Sequence, residues 1–257
     1  MTQLALITGA SVGIGRGIAF AAARNGFDLI LNARSEDALE KLAEELRTTY
    51  GVRVDCIAAD LSTSEGCRVL IDAVASRDID VLVNNAGRGV YGPFVETDID
   101  DVLNMMRLNM DAPTMITHAL MPGLVARNGR ILNIASIAGF MPGPYFANYH
   151  ATKAYLRIWS EGIAEELQRK GVSVTTYCPG PTHTNFEAAA DASGSGIFKG
   201  GGVPSGEEVG ADAWRACLAE RGVVVHGLKN KLNVFAMRLL PRTWQAKAVK
   251  AVTRRRK

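Results

Sequence analysis

Seven short apolar runs recur along the chain, and most of the intervals between them are long enough to form a helix. The runs cover residues 4–8, 28–33, 53–58, 80–84, 130–135, 172–178 and 223–226. Continuous Val, Ile and Leu runs predict strands buried on both faces, and helical segments between them predict a parallel sheet with right-handed crossovers. The pattern therefore predicts a single α/β domain with a doubly wound parallel sheet of about seven strands. A chain of 257 residues, 47% of them hydrophobic, is large enough to bury such a core.

Helix starts can be placed at two serines. Ser35 precedes the acidic pair Glu36 and Asp37, and Ser62 stands three residues before Glu65. A serine side chain can accept a hydrogen bond from the first turn of a helix, where acidic side chains are also favoured by the helix dipole. Both serines are predicted to be N-caps.

Several classes of protein are disfavoured by composition. The four cysteines are scattered without C-x-x-C spacing, which argues against a metal site or a disulfide framework and fits a reducing compartment. No apolar run approaches 18 residues, and residues 4–7 are interpreted as a strand rather than as part of a signal peptide. We expect a cytoplasmic protein without a bound metal.

The first predicted strand leads directly into a glycine-rich turn, which has glycines at Gly9, Gly13 and Gly15. Such glycines let the backbone approach a diphosphate, and the helix that follows directs N–H groups and a positive dipole end towards it. The turn predicts a phosphate-bearing cofactor. The alternative is a turn that only packs the helix against the strand.

The end of the second strand indicates which dinucleotide is bound. An NAD site usually has an acidic residue there for the ribose 2′-hydroxyl, whereas this strand ends in Asn32-Ala33 and is followed by Arg34. A guanidinium suits a 2′-phosphate because it offers paired donors and a permanent charge. We predict NADP(H), with NAD(H) as the alternative. Arg34 could instead be a solvated residue whose field is weakened by Glu36.

A tyrosine and a lysine four positions apart, Tyr149 and Lys153, follow Ser136. On a helix this spacing places the phenol and the ammonium on one face, where the positive charge would favour the phenolate. The pair predicts an acid that works at neutral pH and, with the glycine-rich turn, indicates hydride transfer.

These motifs resemble those of the short-chain dehydrogenase/reductase family, in its branch of about this length, from residue 4 to about residue 226. The resemblance also includes Asp60-Leu61, Asn84-Asn85-Ala86-Gly87, Asn109, Pro179-Gly180 and Thr184. One position departs from NADP-binding members, because Val12 stands where some of them have a second basic residue. Arg34 is therefore the main determinant of the predicted cofactor.

The resemblance implies a Rossmann-type fold and a catalytic tetrad of Asn109, Ser136, Tyr149 and Lys153. Tyr149 would act as general acid towards a carbonyl oxygen while hydride arrives at carbon. Ser136 would hydrogen-bond the developing oxyanion, and Asn109 would hold a water that relays protons. Lys153 would lower the pKa of the phenol and also bind the nicotinamide ribose.

The resemblance also implies a set of cofactor-binding residues. They are Gly9, Ser11, Gly13, Ile14, Gly15, Arg34, Asp60, Leu61, Asn85, Ala86, Gly87, Tyr149, Lys153, Pro179, Gly180 and Thr184. Two motifs have structural alternatives, because Asn84-Asn85 could merely end a strand and Pro179-Gly180 could merely form a turn.

The residues expected to line the substrate site are mostly apolar. They include Met141, Tyr145, Phe146 and Phe186, together with a mobile loop predicted over about residues 185–206. No cationic group is evident that would bind a carboxylate or phosphate, so we expect a hydrophobic ketone or aldehyde. His150 and His183 flank these motifs and are given no catalytic role.

The C-terminal extension, residues 227–257, differs from the predicted catalytic domain, residues 1–226. From residue 226 onwards there are ten Lys and Arg residues and no Asp or Glu, so the preceding part carries 19 basic against 26 acidic groups. Apolar residues recur at helical spacing on both sides of Pro241, which predicts two short basic amphipathic helices.

Two partners are considered for the extension. An anionic membrane surface fits its composition. The alternative, slightly favoured, is docking against the acidic body of the same chain or of a neighbouring subunit. Family members usually form homodimers or homotetramers, and no motif for reading nucleic acid is recognised.

The predicted function is NADPH-dependent oxidoreduction of a small-molecule carbonyl or alcohol. The alternative is a non-catalytic dinucleotide sensor that uses the basic extension to reach a partner or a membrane.

Overall fold

The computed structural model describes residues 2–184 and 203–253 and contains one sheet of seven parallel strands. The strands are β1 (Leu4–Thr8), β2 (Asp28–Ala33), β3 (Val54–Ala58), β4 (Val81–Asn84), β5 (Arg130–Ile134), β6 (Ser173–Cys178) and β7 (Val223–Val225). Their order is β3-β2-β1-β4-β5-β6-β7. The order reverses direction between β1 and β4, which confirms the predicted doubly wound sheet.

Helices connect the strands and cover both faces of the sheet. They are α1 (Gly13–Arg24), α2 (Glu36–Tyr50), α3 (Ser64–Val74), α4 (Ile99–Met106), α5 (Ala112–Ala126), α6 (Ala147–Leu167), α7 (Gly206–Leu218), α8 (Leu228–Leu239) and α9 (Arg242–Thr253). A π-helical turn, Arg107–Asp111, joins α4 to α5.

The core consists of two apolar layers, one on each face of the sheet. Successive residues of β1 show why the strands are apolar throughout, since Leu6 packs into one layer and Ile7 into the other. Helices α1, α2 and α7 cover the layer that contains Ile7, with Trp214 of α7 fully buried in it. Helices α3, α5 and α6 cover the layer that contains Leu6. Burial on both faces removes the need for polar alternation.

One predicted helix cap is confirmed and the other is wrong. Ser35 caps α2, with its side chain accepting a hydrogen bond from Ala38 N at 3.3 Å. Helix α3 is capped by Thr63, which accepts from Gly66 N at 2.9 Å. Ser62 instead donates to the Asp60 carboxylate at 2.8 Å. Either Ser62 or Thr63 could have capped the helix. Because the Ser62 hydroxyl is bonded to Asp60, Thr63 forms the cap.

The two helices predicted in the extension are present as α8 and α9, with Pro241 between them. The Gln245 side chain is buried and donates to the carbonyl oxygens of Met237 and Leu240 at 2.8 and 2.9 Å. Both carbonyls lie at the carboxyl end of α8, where the oxygen of Met237 also accepts from Leu240 N at 3.3 Å. The side chain of Gln245 therefore ties α9 to the end of α8.

Two classes of feature were sought in the described part of the chain. Within residues 2–184 and 203–253, no group of three or more His, Cys, Asp or Glu side chains is placed to hold a metal ion. No helix in the same ranges combines the length and apolarity needed to cross a bilayer. Burial raises the pKa of the Cys178 and Cys217 thiols to about 12, so both remain protonated at neutral pH.

Candidate active site

The glycine-rich turn lies at the carboxyl end of β1, next to the reversal of strand order. Gly9 and Gly13 have φ of +63° and +58°, a left-handed conformation that disfavours residues with a Cβ. A Cβ on Gly15 would overlap the carbonyl oxygen of Gly9 and the side chain of Asn85. The turn therefore needs glycine for close backbone packing as well as for conformation. Helix α1 begins at Gly13 without a side-chain cap, and its N–H groups can face a diphosphate.

The turn is held in place by residues that follow β4. The Asn85 amide donates to the carbonyl oxygens of Thr8 and Gly9, both at 2.9 Å. The Thr8 hydroxyl accepts from the backbone N–H groups of Asn85 and Ala86 and donates to Val83. The donors of the Asn85 side chain are thus used to fix the cofactor turn, a positioning role that adds to the predicted one.

The carboxyl ends of β2 and β3 supply the polar residues expected at the adenosine end. Arg34 is exposed immediately after β2, and no salt bridge to it is formed within the residues that the structure describes. Asn32 is buried, and its amide donates to the carbonyl oxygen of Ile57 at 3.0 Å. Asp60 is exposed, whereas the Leu61 side chain is in the core, which leaves the Leu61 backbone for a cofactor contact.

The predicted nicotinamide end lies beyond β6. Thr184 is positioned over the glycine-rich turn, since a Cβ on Gly13 would lie 3.0 Å from its methyl carbon. The carbonyl oxygen of Pro179 accepts from Ile137 N at 3.0 Å, which ties this loop to the segment containing Ser136. Gly180 leaves room for the Asn230 side chain of α8, which a Cβ would overlap. The extension therefore packs directly on the loop predicted to contact the cofactor.

Three residues of the predicted tetrad meet at the carboxyl end of β5. Ser136 follows this strand, and Tyr149 and Lys153 lie one helical turn apart in α6. A hydrogen bond joins the side chains of Ser136 and Tyr149. The Lys153 ammonium lies 6.0 Å from the centre of the Tyr149 ring and donates to the carbonyl oxygen of Ile134 at 2.8 Å. The structure thus brings these predicted residues together.

Burial controls the proton affinities of the phenol and the ammonium. It raises the pKa of Tyr149 to about 12, against a smaller lowering by the hydrogen bond with Ser136. It lowers the pKa of Lys153 to about 8. Loss of solvation therefore dominates the pKa of the phenol, and the expectation that Lys153 lowers this pKa stays a prediction. At neutral pH the phenol carries its proton and can donate it.

Asn109 lies within the π-helical turn between α4 and α5 and is buried. Its amide donates to the carbonyl oxygen of Arg88 at 2.9 Å and to the Thr152 hydroxyl at 3.0 Å, and its side-chain oxygen accepts from Arg88 N. The Thr152 hydroxyl donates to the carbonyl oxygen of Tyr149 at 2.8 Å. Asn109 is therefore connected to the catalytic helix through Thr152, which the sequence reasoning missed although it adjoins Lys153.

Gly87 marks the point where the cofactor turn and the tetrad converge. A Cβ at this position would lie 3.2 Å from the Asn109 side-chain oxygen and 3.4 Å from the Lys153 ammonium. The two side chains therefore approach the same small region beside the backbone. This supports the predicted grouping of Asn109 and Lys153.

Aromatic rings pack in a row beside Tyr149, and we call Tyr91, Tyr145 and Phe146 the aromatic wall. Phe146 lies 5.6 Å from the Tyr149 ring, and Tyr91 lies 5.1 Å from Phe146 and 6.2 Å from Tyr145, measured between ring centres. Tyr145 adopts φ of +66°, a conformation that costs free energy in a residue other than glycine. Tyr91 was not predicted, although its place soon after the motif at the end of β4 was a usable signal.

The remaining predicted residues either make contacts that stabilise the fold or lie outside the residues that the structure describes. The carbonyl oxygen of Met141 lies 2.9 Å from Nδ1 of His150, whose pKa is lowered by burial. His183 is exposed and pairs through its backbone with Pro204. Phe186 and the predicted loop as far as residue 202 lie outside the described residues.

Known proteins resemble this chain in sequence and in structure. A very-long-chain 3-oxoacyl-CoA reductase of Scheffersomyces stipitis is 36% identical over 182 residues, covering 66% of this chain and 53% of the relative. The chain thus spans about half the length of the curated relatives it matches.

Two solved structures are each 30% identical to the chain. A short-chain dehydrogenase from Sphingobium yanoikuyae in complex with NADPH has a TM-score of 0.81 and matches 93% of this chain and 97% of its own. A bulky-bulky ketone specific alcohol dehydrogenase from Comamonas testosteroni has a TM-score of 0.78 and matches 92% of each chain.

The family model described as short chain dehydrogenase matches residues 3–193. That range runs from the start of β1 past the end of β6, so it includes the glycine-rich turn and the residues grouped around Tyr149. On the strength of this match, the chain belongs to the short-chain dehydrogenase family.

Proposed function

We propose that this protein is an NADPH-dependent oxidoreductase that interconverts a hydrophobic ketone or aldehyde and the corresponding alcohol. The observation that carries the proposal is the hydrogen-bonded Ser136–Tyr149 pair beside the buried Lys153 ammonium. These groups lie at the carboxyl end of the sheet, as does the glycine-rich turn at the start of α1, whose N–H groups can face a diphosphate. Family membership supports the same reaction class.

The side chains account for the proton chemistry. In the reducing direction, the Tyr149 phenol donates its proton to the carbonyl oxygen, and the Ser136 hydroxyl donates a hydrogen bond to the same oxygen as negative charge develops. Lys153 is largely charged at pH 7, since its pKa is about 8, and stabilises the tyrosinate that remains. Bound NADPH would supply the hydride.

Three features favour NADPH over NADH. β2 ends without an acidic residue, the side chain of Asn32 is tied to β3, and Arg34 is exposed where a 2′-phosphate would lie. Arg34 is not neutralised by a salt bridge within the described residues. The structurally similar dehydrogenase from S. yanoikuyae is in complex with NADPH.

The aromatic wall favours an apolar substrate. Tyr91, Tyr145 and Phe146 form a continuous set of ring contacts that ends at Tyr149. Two similar proteins act on ketones, by their names a 3-oxoacyl-CoA reductase and a bulky-bulky ketone specific alcohol dehydrogenase. Medium- and long-chain 3-oxoacyl thioesters and bulky ketones are therefore the first substrates to examine.

The proposal is tested by initial rates of NADPH and NADH oxidation with that panel, alongside small charged keto acids. Tyr149→Phe should lose at least 1,000-fold in kcat while still binding NADPH, because it removes the proton donor and leaves the ring. Arg34→Ala should raise KM for NADPH about tenfold or more and leave that for NADH almost unchanged. Exposed Arg169 provides a control, and Arg169→Ala should change neither.

Two outcomes would count against the proposal. Ready turnover of charged keto acids with poor turnover of apolar ketones would refute the hydrophobic substrate. NADPH binding without reduction of any carbonyl would favour the dinucleotide sensor.

We also propose that the chain forms a homodimer or homotetramer. Ile158 of helix α6 is 61% exposed to solvent. It is close in sequence to Tyr155 and Trp159, whose rings are stacked. An exposed β-branched residue on a long helix suits a contact between subunits. Sedimentation velocity should show a mass that falls in Ile158→Glu. A monomeric wild-type protein would refute this assembly.

A further inference from the structure

Helix α8 carries an exposed apolar stripe. Its members are Leu228, Leu232, Phe235 and Leu239, each between 59% and 73% exposed. Their spacings of four, three and four residues place them along one side of a helix with about 3.6 residues per turn. We call these four residues the α8 stripe. It is unusual because a contiguous apolar face on a helix is normally buried.

The opposite side of α8 is already packed against the body of the protein. Val234 is buried there, and Asn230 fills the space beside Gly180 and donates to the carbonyl oxygen of His226 at 2.8 Å. The helix therefore has a fixed orientation in which the α8 stripe faces outwards. The expectation that the apolar side of the extension docks against the same chain is wrong for this stripe within the described residues.

Basic side chains flank the α8 stripe. With a rotation of about 100° per residue, Lys229 falls on one side of the stripe, and Lys231 and Arg238 fall on the other. All three are exposed, and none takes part in a salt bridge within residues 2–184 and 203–253. The guanidinium carbon of Arg238 lies 5.8 Å from the centre of the Phe140 ring, so the charged end of this side chain is placed against the body, and Lys229 and Lys231 are the basic residues left to face a partner.

The outward side of helix α9 also combines apolar and basic residues. Trp244 is 62% exposed, and Lys247 lies three residues further along the same outward side. Gln245, Val249 and Thr253 form the buried side. Indole rings and basic side chains together are typical of helices that lie in the interface between lipid headgroups and acyl chains.

We propose that α8 and α9 form a docking surface for an anionic lipid bilayer. An apolar stripe with basic flanks matches a surface that offers acyl chains beneath negatively charged headgroups. The extension has ten Lys and Arg residues and no Asp or Glu, so its whole length favours the same partner. The apolar residues would enter the interface, and the lysines and arginines would lie at headgroup level.

A second copy of the chain is a poorer occupant. A two-fold symmetric contact through the α8 stripe would place Lys229 and Lys231 close to the same residues of the other copy. Like charges brought together at an interface oppose association. No acidic residue of the extension could offset them.

Docking at this surface would bring the bilayer close to the candidate active site. Thr253 at the end of α9 accepts a hydrogen bond from the Tyr91 hydroxyl at 2.8 Å, and Tyr91 belongs to the aromatic wall. Asn230 of α8 packs on Gly180. An apolar carbonyl compound dissolved in the bilayer would then have a short path to Tyr149. This consequence rests on the proposed function, whereas binding to lipid does not.

The test is co-sedimentation of the full-length chain with vesicles at low ionic strength. Vesicles of phosphatidylcholine with about 30% phosphatidylserine should bind the protein, and pure phosphatidylcholine vesicles should bind it at least tenfold more weakly. Binding should weaken in 0.5 M salt because the electrostatic contribution is screened. Melting temperature and NADPH binding, measured in parallel, report whether each variant is folded.

Two matched pairs of variants locate the surface. Phe235→Ser should lower the partition coefficient at least tenfold, whereas Phe94→Ser, at a phenylalanine that is 67% exposed outside the extension, should leave it unchanged. Lys231→Gln should lower it about fivefold, whereas Lys170→Gln, which removes the same charge elsewhere, should not.

Three results would overturn the proposal. The first is an absence of binding to anionic vesicles, and the second is equal binding of Phe235→Ser and wild type. The third is a wild-type protein that does not bind vesicles but forms a dimer, which Phe235→Ser converts to a monomer. The last result would assign the α8 stripe to self-association. None of these readouts requires turnover, so a failure of lipid docking is distinguishable from a failure of the proposed enzymatic activity.

Discussion

Two buried threonines provide a direct test of the hydrogen-bond network around the candidate active site. Thr152 and Thr175 are each only 1% exposed. The Thr152 hydroxyl accepts from the Asn109 amide at 3.0 Å and donates to the carbonyl oxygen of Tyr149 at 2.8 Å. The Thr175 hydroxyl has no hydrogen-bond partner within the described residues. Substitution by valine, which has nearly the same shape, should therefore have opposite effects at the two positions.

The magnitudes follow from what each substitution leaves behind. Thr152→Val leaves one N–H of the buried Asn109 amide without an acceptor, which costs about 1–3 kcal/mol. For a protein of this size, a loss of about 2 kcal/mol lowers the melting temperature by about 4–8 °C. Thr175→Val removes a buried hydroxyl that has no partner among the described residues, so stability should be unchanged or rise by about 1 kcal/mol.

Urea unfolding at 25 °C measures both effects, and equal m-values would show that the unfolded states are comparable. Thr152→Val should also reduce kcat, because Thr152 connects Asn109 to the helix that carries Tyr149. If Thr152→Val were as stable as wild type, or if Thr175→Val lost as much stability, the assigned network would be refuted.

Three further predictions concern the site and its supports. Burial lowers the pKa of Lys153 from 10.5 to about 8, so the folded state releases this proton first and stability should rise between pH 8 and 10. Lys153→Met should remove that rise and be about 1–3 kcal/mol more stable at pH 7; parallel pH profiles for both proteins would contradict this. Gly15→Ala should cost about 1–3 kcal/mol and weaken NADPH binding, whereas Gly162→Ala, in an open part of α6, should gain about 0.5–1 kcal/mol in thermal unfolding. Tyr91→Phe removes the hydrogen bond to Thr253, so amide exchange in α9 should accelerate about two- to tenfold, and an unchanged rate would show that this bond does not hold the helix.

The sequence predicted the sheet well because its strands are buried on both faces. The predicted runs and the observed strands agree to within one residue at each end, as at β5, predicted over residues 130–135 and observed over Arg130–Ile134. The catalytic spacing was equally informative, since Tyr149 and Lys153 lie one turn apart on any helix.

Details that depend on competition between neighbouring groups were less predictable. Ser62 and Thr63 both can cap a helix, and the carboxylate of Asp60 decided between them by accepting two hydrogen bonds from Ser62. The sequence alone did not contain the geometry of that turn. Thr152 was missed for the same reason, because its partner Asn109 is distant in the chain.

The sequence by itself determined the element order, the glycine-rich turn and the identities of Ser136, Tyr149 and Lys153, because these depend on local periodicity and spacing. Only the tertiary structure decided the proton affinities, since the pKa values of Tyr149 and Lys153 are set by burial among distant segments. It also decided which side of α8 faces outwards, because the packing of Asn230 against Gly180 orients the helix. An amphipathic pattern defines two sides of a helix, but contacts with the rest of the chain determine which side is left for a partner.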